Sequence, residues 1–533
     1  MELDLPKELE FRYVKKQTPV IVNKESRQIL PQNGTSFTQG SSGQTQIVFR
    51  IPNDENVSWD LSTMWITAEL QLIDLDPTEF TQVRCNAFDG EEIVVANAVR
   101  IISLADGIES AIQRVHVLVN GSELERHDYY NVQETLLNKH TNNANFSNSI
   151  GSGAMLLNQS AIDSHKLLVG GATGARITSN ILQVSFPLRW CGIANLRSLV
   201  PTYMLGGGQS AIEIRIFLAS VLDFICGGTI TYNATATTCP TNITTNNSYA
   251  NIQYRLSSVR MNVDCVQTSD AYSTGLREYL ASNQLQLPID TYYSTIYNLQ
   301  ATDNGWVNFT ISTQFSDISA VYLAFFRSAE LSSTRFSGTD RMFRPPNINE
   351  ARILINGKPY PSVPIKFGTG GLEAEAYQYL MKSLKQNCSL EVIGNANGYQ
   401  ERTNTFANMG ALGAPTALGA STVRNIDTFG GSGLYYGRNR TLPLDNNAKT
   451  TNVLGDESFW RTSPSSFALG FSVGKSDYSD EFELSGADLS RSSGLIQVNL
   501  NFSTAIGEAY QALVLVKHKR ILDIGLDSSQ VIY

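Results

Sequence analysis

Charge is scarce in this chain. Asp, Glu, Lys and Arg make up 17% of its 533 residues, against roughly a quarter in an ordinary soluble protein. The formal charge is -9, so the clustered cations that neutralise phosphates are missing and no specific nucleic-acid binding is expected. The one dense basic run, Lys517-His518-Lys519-Arg520, reads as a solvated strand end. Cysteine is equally sparse. The six cysteines form no CxxC pair, which removes a disulfide scaffold and a zinc cluster. Cys226 and Cys239 bracket a Gly/Thr-rich loop, where they either pair or remain free thiols. The five histidines show no HExxH or HxH spacing, so no metal site is expected. His127 and Asp128 are adjacent, but no GxSxG elbow accompanies them. No apolar run is long enough to cross a membrane as a helix. Residues Met1 to Val20 carry acids near the start and lack the apolar centre of a secretory signal.

What the chain has is alternation. Apolar residues make up 42%, enough for packed cores, and the length suggests several domains. In "QIVFRIP" the residues Ile47, Phe49 and Ile51 share a face. "WITAELQLI", "ILQVSFPL" and "AIEIRIFL" repeat the pattern, and Ile252 to Val266 is a further long strand candidate. In the second half "VNFTI", "FALGFSV" and "LIQVNLNF" do the same. Such period-two runs mark strands with one face on a core. "ALVLV", Ala512 to Val516, is apolar on both faces and reads as a central strand. Many short strands divided by Gly, Pro, Asn and Ser turns predict an all-β chain of sandwiches.

Helical patterns are few. Gly371 to Gln386 places Leu372, Ala376, Tyr379, Leu380 and Leu384 on one face, with acids in the first turn and lysines in the last. Asn131 to Leu137 is a shorter candidate. Ala271 to Ala281 is a third, with Ser269 or Asp270 as its N-cap. It falls between the two strand sets and marks a junction.

Element order then repeats. "HVLVNG" leads to a helix, a long polar loop and "ILQVSFPL"; "RILING" leads to a helix, a longer loop and "FALGFSV". Paired strands "AIEIRIFL" and "LIQVNLNF" follow, each with one last strand behind it. This is an internal duplication of a sandwich of roughly 230–260 residues. Asn120-Gly121 and Asn356-Gly357 are its anchors, because Asn-Gly supplies the positive φ of a tight hairpin turn. They are expected to be structural turns at equivalent connections, without chemistry of their own.

No catalytic, cofactor-binding or metal-binding residues stand out. "VGGATGAR", Val169 to Arg176, lacks the Gly-Lys-Ser/Thr ending of a phosphate loop. A rival to a structural role is a carbohydrate-binding or carbohydrate-cleaving two-domain sandwich protein, with exposed aromatics such as Tyr435 and Tyr436 or a carboxylate pair in the long loops.

The segment "IVFRIPNDENVSWDLSTMWITAELQLI" followed by "VHVLVNGSELERHDYYNVQETLL" resembles double jelly-roll major capsid proteins of the bacteriophage–adenovirus lineage. It is most similar to those of polinton-like viruses and virophages. The sequence likeness lies in Gln46–Asn138, and the element order extends it over nearly the whole chain. The resemblance implies two tandem eight-stranded jelly-roll sandwiches with a few short helices and long loop insertions. It divides the chain into an N-terminal arm (1–43), a first jelly roll (44–267), a junction helix (268–283) and a second jelly roll (284–533). It implies a non-enzymatic protein without cofactor that assembles as a homotrimeric, pseudo-hexagonal capsomer and tiles an icosahedral shell. Its expected partners are itself, neighbouring capsomers, and penton and minor capsid proteins; its place is the virion, after synthesis in the host cell without a secretory signal. Lys139–Asn180, Leu222–Ala250 and Asn387–Pro464 would form outward towers.

Overall fold

The alternating segments become strands of two stacked sandwiches in the computed structural model. It describes residues 21–40, 42–74, 82–86, 92–96, 98–104, 107–141, 177–178, 181–196, 198–206, 210–231, 242–244, 252–312, 315, 317–328, 346, 348–367, 374–384, 467–474, 486–487, 489, 495–525 and 528–532.

The first half runs through β1 (Ile21–Ile29), β2 (Phe37–Gln39), β3 (Gln46–Pro52), β4 (Val57–Asp74), β5 (Gln82–Asn86), β6 (Glu92–Ala96) and β7 (Ala98–Leu104). It continues with β8 (Ile112–Val119), β9 (Ser122–His127), helix α1 (Tyr130–Thr141), β10 (Ile177–Thr178), β11 (Leu182–Phe186), β12 (Ser210–Leu218), β13 (Ile225–Thr231), β14 (Asn242–Thr244) and β15 (Ile252–Thr268). Helix α2 (Asp270–Leu280) joins the halves. The second half has β16 (Leu285–Leu299), β17 (Gly305–Ser312), β18 (Ile318–Arg327), β19 (Ile348–Ile355), β20 (Lys358–Lys366), helix α3 (Ala374–Leu384), β21 (Ala468–Ser472), β22 (Leu495–Phe502), β23 (Tyr510–Gly525) and β24 (Ser528–Ile532).

Each half pairs one sheet against another. In the first, β1-β15-β4-β11 faces β3-β12-β8-β9; in the second, β16-β23-β18-β21 faces β17-β22-β19-β20. Counting the eight core strands of each half in chain order, both halves read 1-8-3-6 and 2-7-4-5. That is a jelly roll written twice, with every pairing antiparallel. Side chains of one parity fill each interior. Ile47, Phe49, Ile51, Ile212, Ile214 and Ile216 are buried in the first core, and Ile496, Val498, Leu500 and Phe502 in the second. Ala512 to Val516 are all fully buried, as a run apolar on both faces requires. Emptying one of the largest sites, for example Phe49→Ala, costs about 3–5 kcal/mol.

Small additions flank this frame. Strands β13 and β14 lie within Leu222–Ala250, which the sequence reading treats as a tower loop; they pair with each other, and β13 with β7. The arm expected over 1–43 also differs, because β1 pairs along β15 from Ile21 to Ile29 and β2 pairs with β15 as well. Polar "NKESRQ" conceals that strand, since only its sheet partner gives it a structural role. Helix α2 has Ser269 as its N-cap, whose Oγ accepts from the Tyr272 amide at 3.4 Å. Its Ser273 hydroxyl lies 3.3 Å from the Tyr203 hydroxyl and 3.0 Å from that of Thr268, which ties the junction to the first jelly roll. The Lys139–Asn180 and Asn387–Pro464 tower segments lie mostly outside the described residues, and Tyr435, Tyr436 and Cys239 lie wholly outside them.

Candidate functional site at the seam between the jelly rolls

The two Asn-Gly pairs close the same hairpin in each half. Asn120 (φ 50°) and Gly121 (φ 82°) link β8 to β9, while Asn356 (φ 50°) and Gly357 (φ 77°) link β19 to β20. Two successive residues at positive φ fit the primed turn that matches strand twist, and glycine carries the second at no steric cost. From there the halves diverge. The Asn120 side chain donates to the Leu205 carbonyl, and at 2.7 Å to the Ser529 hydroxyl on β24 of the second jelly roll.

Strand β9 is the last of its sheet, pairing only with β8. Its other flank meets the second jelly roll. Glu125 and His127 share one face of β9 beside that flank, and both are fully buried. Glu125 accepts from the amides of Gly192 at 2.7 Å and Ile193 at 2.6 Å, at the start of a 3-10 turn (Gly192–Asn195). It also accepts from Thr291 Oγ1 on β16 at 3.0 Å, and His127 Nε2 lies 3.1 Å away. The other ring nitrogen of His127 is 3.2 Å from Gln133 Oε1 on α1. A carboxylate buried away from water is tolerable only when its lone pairs are filled in this way. The arrangement therefore clamps three pieces of chain around one carboxyl group: β9, the 3-10 turn and β16.

More contacts cross the same seam. Arg520 Nη1 on β23 donates to the Leu124 carbonyl at 2.5 Å. The Tyr129 amide donates to Ser294 Oγ at 3.4 Å. Trp190 meets Tyr292 edge to face with centroids 6.5 Å apart. Gly192 sits so close to β16 that an added Cβ would lie 2.1 Å from the Asp290 carbonyl oxygen. Lys517, whose ammonium is 3.4 Å from Asp290, is buried, as are His518 and Arg520. The basic run read from the sequence as a solvated strand end is thus largely buried, with Arg520 reaching the neighbouring sandwich.

Burial shapes the titration of these groups. His518 is held well below its ordinary range, first by burial and then by repulsion from Arg520 and His127. Its ring stacks on Phe315 with centroids 3.6 Å apart, and its Nδ1 has no hydrogen-bond partner. Cys191, beside Gly192, is pushed well up by burial and by Glu125 and Glu109. Behind the seam, Glu109 is pushed up to about 7 by burial, partly offset by Arg189. Tyr130 donates to it at 3.4 Å. On the same helix as Tyr130, Glu134 accepts from Asn138, whose Oδ1 in turn accepts from Trp190 Nε1 at 3.3 Å.

Of the residues singled out in the sequence, Asn120, His127 and the basic run ending at Arg520 reach this seam, and the Asn356-Gly357 turn lies at the corresponding hairpin of the other half. Glu125, Thr291 and Gly192 carry no sequence signature. The one usable hint is a strand, "SELERH", with polar residues of both parities beside an Asn-Gly turn. Asp128 pairs with Arg114 at 2.8 Å and Arg126 at 3.0 Å, while His127 turns to Glu125 and Gln133. Among the described residues no cluster of His, Cys, Asp and Glu is placed to hold a metal ion.

A chain built as two jelly rolls with the same strand order, joined by a polar clamp, belongs structurally to the double jelly-roll class. Solved structures of that class align with it nearly end to end. The Faustovirus major capsid protein matches with a TM-score of 0.50 at 10% identity, over 96% of this chain and 92% of that one. The PBCV-1 virus capsid gives a TM-score of 0.46 at 10% identity, over 96% and 97%. The mavirus major capsid protein gives 0.45 at 8% identity, over 100% and 96%. No protein-family model and no curated protein sequence matches the chain. At such identities the likeness is one of fold: this chain has the double jelly-roll fold of the Faustovirus major capsid protein.

Proposed function

We propose that the chain is a viral major capsid protein that assembles as a homotrimeric, pseudo-hexagonal capsomer and tiles an icosahedral shell. The observation that carries this reading is the repetition of one strand order in two sandwiches of a single chain. Three such chains supply the six similar units of a hexagonal tile, and a ring of this kind closes head to tail. In support, the end-to-end alignment with the Faustovirus major capsid protein leaves no large part of either chain over. The low charge also suits a protein whose surface meets other protein, since interface cores are depleted in ions.

In this reading the chain divides into an arm at its start, a first jelly roll to residue 267, a junction at 268–283 and a second jelly roll from 284. The Asn120-Gly121 and Asn356-Gly357 turns set strand register and have no catalytic role. The partners are further copies of the chain, then penton and minor capsid proteins, and the protein resides in the shell of the virion. No enzymatic activity and no cofactor belong to this function.

The mass of the purified protein in solution tests it. A stable particle of three times 58.6 kDa that forms hexagonal sheets or shells is the expected result. A monomer that binds glycans would overturn the reading in favour of a carbohydrate-binding sandwich protein.

A further inference from the structure

We propose that the seam is an acid-sensitive latch, in which protonation of His518 parts the two jelly rolls of one chain. A single chain contains every group involved. His518 is 1% exposed, stacks on Phe315, and leaves its Nδ1 without a partner in a region closed to water. A buried nitrogen without a partner is a group that gains by meeting solvent.

The charges around it leave an imidazolium poorly placed. From its own strand come Lys517, Lys519 and Arg520. Across the seam β9 contributes His127 and Glu125, with Gln133 of α1 behind them. Strand β16 contributes Asp290 and Thr291, the latter lying opposite His518 in the ladder. The segment before β18 contributes Asp317 and Phe315. Most of the nearby carboxylate oxygens already have partners, the Oδ2 of Asp317 excepted. Glu125 takes the Gly192 and Ile193 amides, Thr291 and His127. Asp290 faces Lys517 at 3.4 Å, and Asp317 accepts from the Gly486 amide. A proton on His518 therefore adds a buried cation beside Arg520 and His127; the loss of water and their repulsion outweigh the one favourable contact, with the Lys519 backbone. Water is the remaining source of solvation, and the seam must part to admit it.

The sign is fixed by the burial of the neutral ring. The closed seam holds His518 deprotonated, whereas an opened seam lets it return toward its ordinary value of 6.5. Acid below that value thus favours the open form, and neutral solution favours the closed one.

Hydrogen exchange on the full-length protein reads this directly. Peptides covering residues 122–129 and 189–196 report the seam amides, and peptides covering 210–218 and 495–502 report the two cores. After correction for the chemical exchange rate, moving from about pH 7.5 to about pH 5 should speed the seam peptides about tenfold or more, the effect of one pKa unit. The core peptides should hold their protection. His518→Phe keeps the stack on Phe315 but cannot titrate, and should remove the acid effect; His518→Gln serves if the phenylalanine variant does not fold. Seam peptides indifferent to pH, core peptides that open with them, or a His518 variant that keeps the acid response would each overturn the proposal.

Discussion

Strands β9 and β20 occupy the same place in their jelly rolls and are treated in opposite ways. Each ends its sheet and follows an Asn-Gly turn. One face of β9 carries Glu125 and His127, both at 0% exposure under the second jelly roll. On β20 the residues at the same ladder positions are Tyr360, half-buried, and Ile365, buried, and between them an irregular stretch leaves Ser362 and Val363 exposed, with prolines at 359, 361 and 364. Proline removes backbone donors and so blunts an edge that would otherwise recruit a foreign strand. One repeat has therefore evolved a polar clamp for a partner that is always present. The other has an edge guarded by prolines, with Ser362 and Val363 left exposed. The difference teaches that duplication copied the strand order while the two edges took up different tasks.

The sharpest way to break this comparison is to remove the clamp. Glu125→Ala leaves the backbone amides of Gly192 and Ile193 unpaired in the seam and takes one partner from Thr291 and from His127, and should cost about 3–5 kcal/mol in urea unfolding. Val363→Ala on β20 should stay within about 0.5 kcal/mol. Equal costs would erase the distinction between the two edges.

A second test uses pH, where two buried groups act with opposite sign. Glu109 keeps its proton in the fold up to about 7, while the unfolded chain loses it above 4.5. Its contribution is complete below 4.5 and is lost as pH rises through 7, on the order of 2–3 kcal/mol. Glu109→Gln should flatten that fall in a series of unfolding midpoints. His518 works the other way, since its fold-state value is depressed. Stability should drop as pH falls below 6.5, and His518→Phe should level that limb. Limbs that survive their substitutions would place the titrating groups elsewhere.

Glycine substitutions separate close approach from backbone strain. Gly192→Ala drives a Cβ against the Asp290 carbonyl across the seam, and should cost about 1–3 kcal/mol or more. Gly357→Ala meets no neighbouring atom; its positive φ alone should cost about 1 kcal/mol. Thermal unfolding that ranks them in reverse would move the tight contact away from the seam.

Much of the fold is legible in the chain because each sandwich buries one parity of residue. Alternation in "AIEIRIFL" and "LIQVNLNF" locates strands, and "ALVLV" betrays a strand covered on both faces. Helix α3, read over Gly371–Gln386, forms over Ala374–Leu384, where Ala376, Leu380 and Leu384 are buried. What stays hidden depends on a distant partner. Strand β1 is polar along nearly its whole length and exists because β15 pairs with it. The Lys517–Arg520 run looks solvated because its partners, Asp290, Phe315 and Leu124, are all distant in the chain. Glu125 is invisible for the same reason: its donors come from residues 192, 193 and 291, which no spacing rule connects. Periodicity reports a residue's own sheet and says nothing of a second domain laid against it.

In the capsomer we propose, one jelly roll edge is sealed within the chain while its twin is sealed between chains. Electron cryomicroscopy of the purified protein tests it most directly. The account predicts particles of three chains with six upright sandwiches, in which β20 of each chain lies against the first jelly roll of the next. A single-chain particle with β20 open to solvent would contradict it.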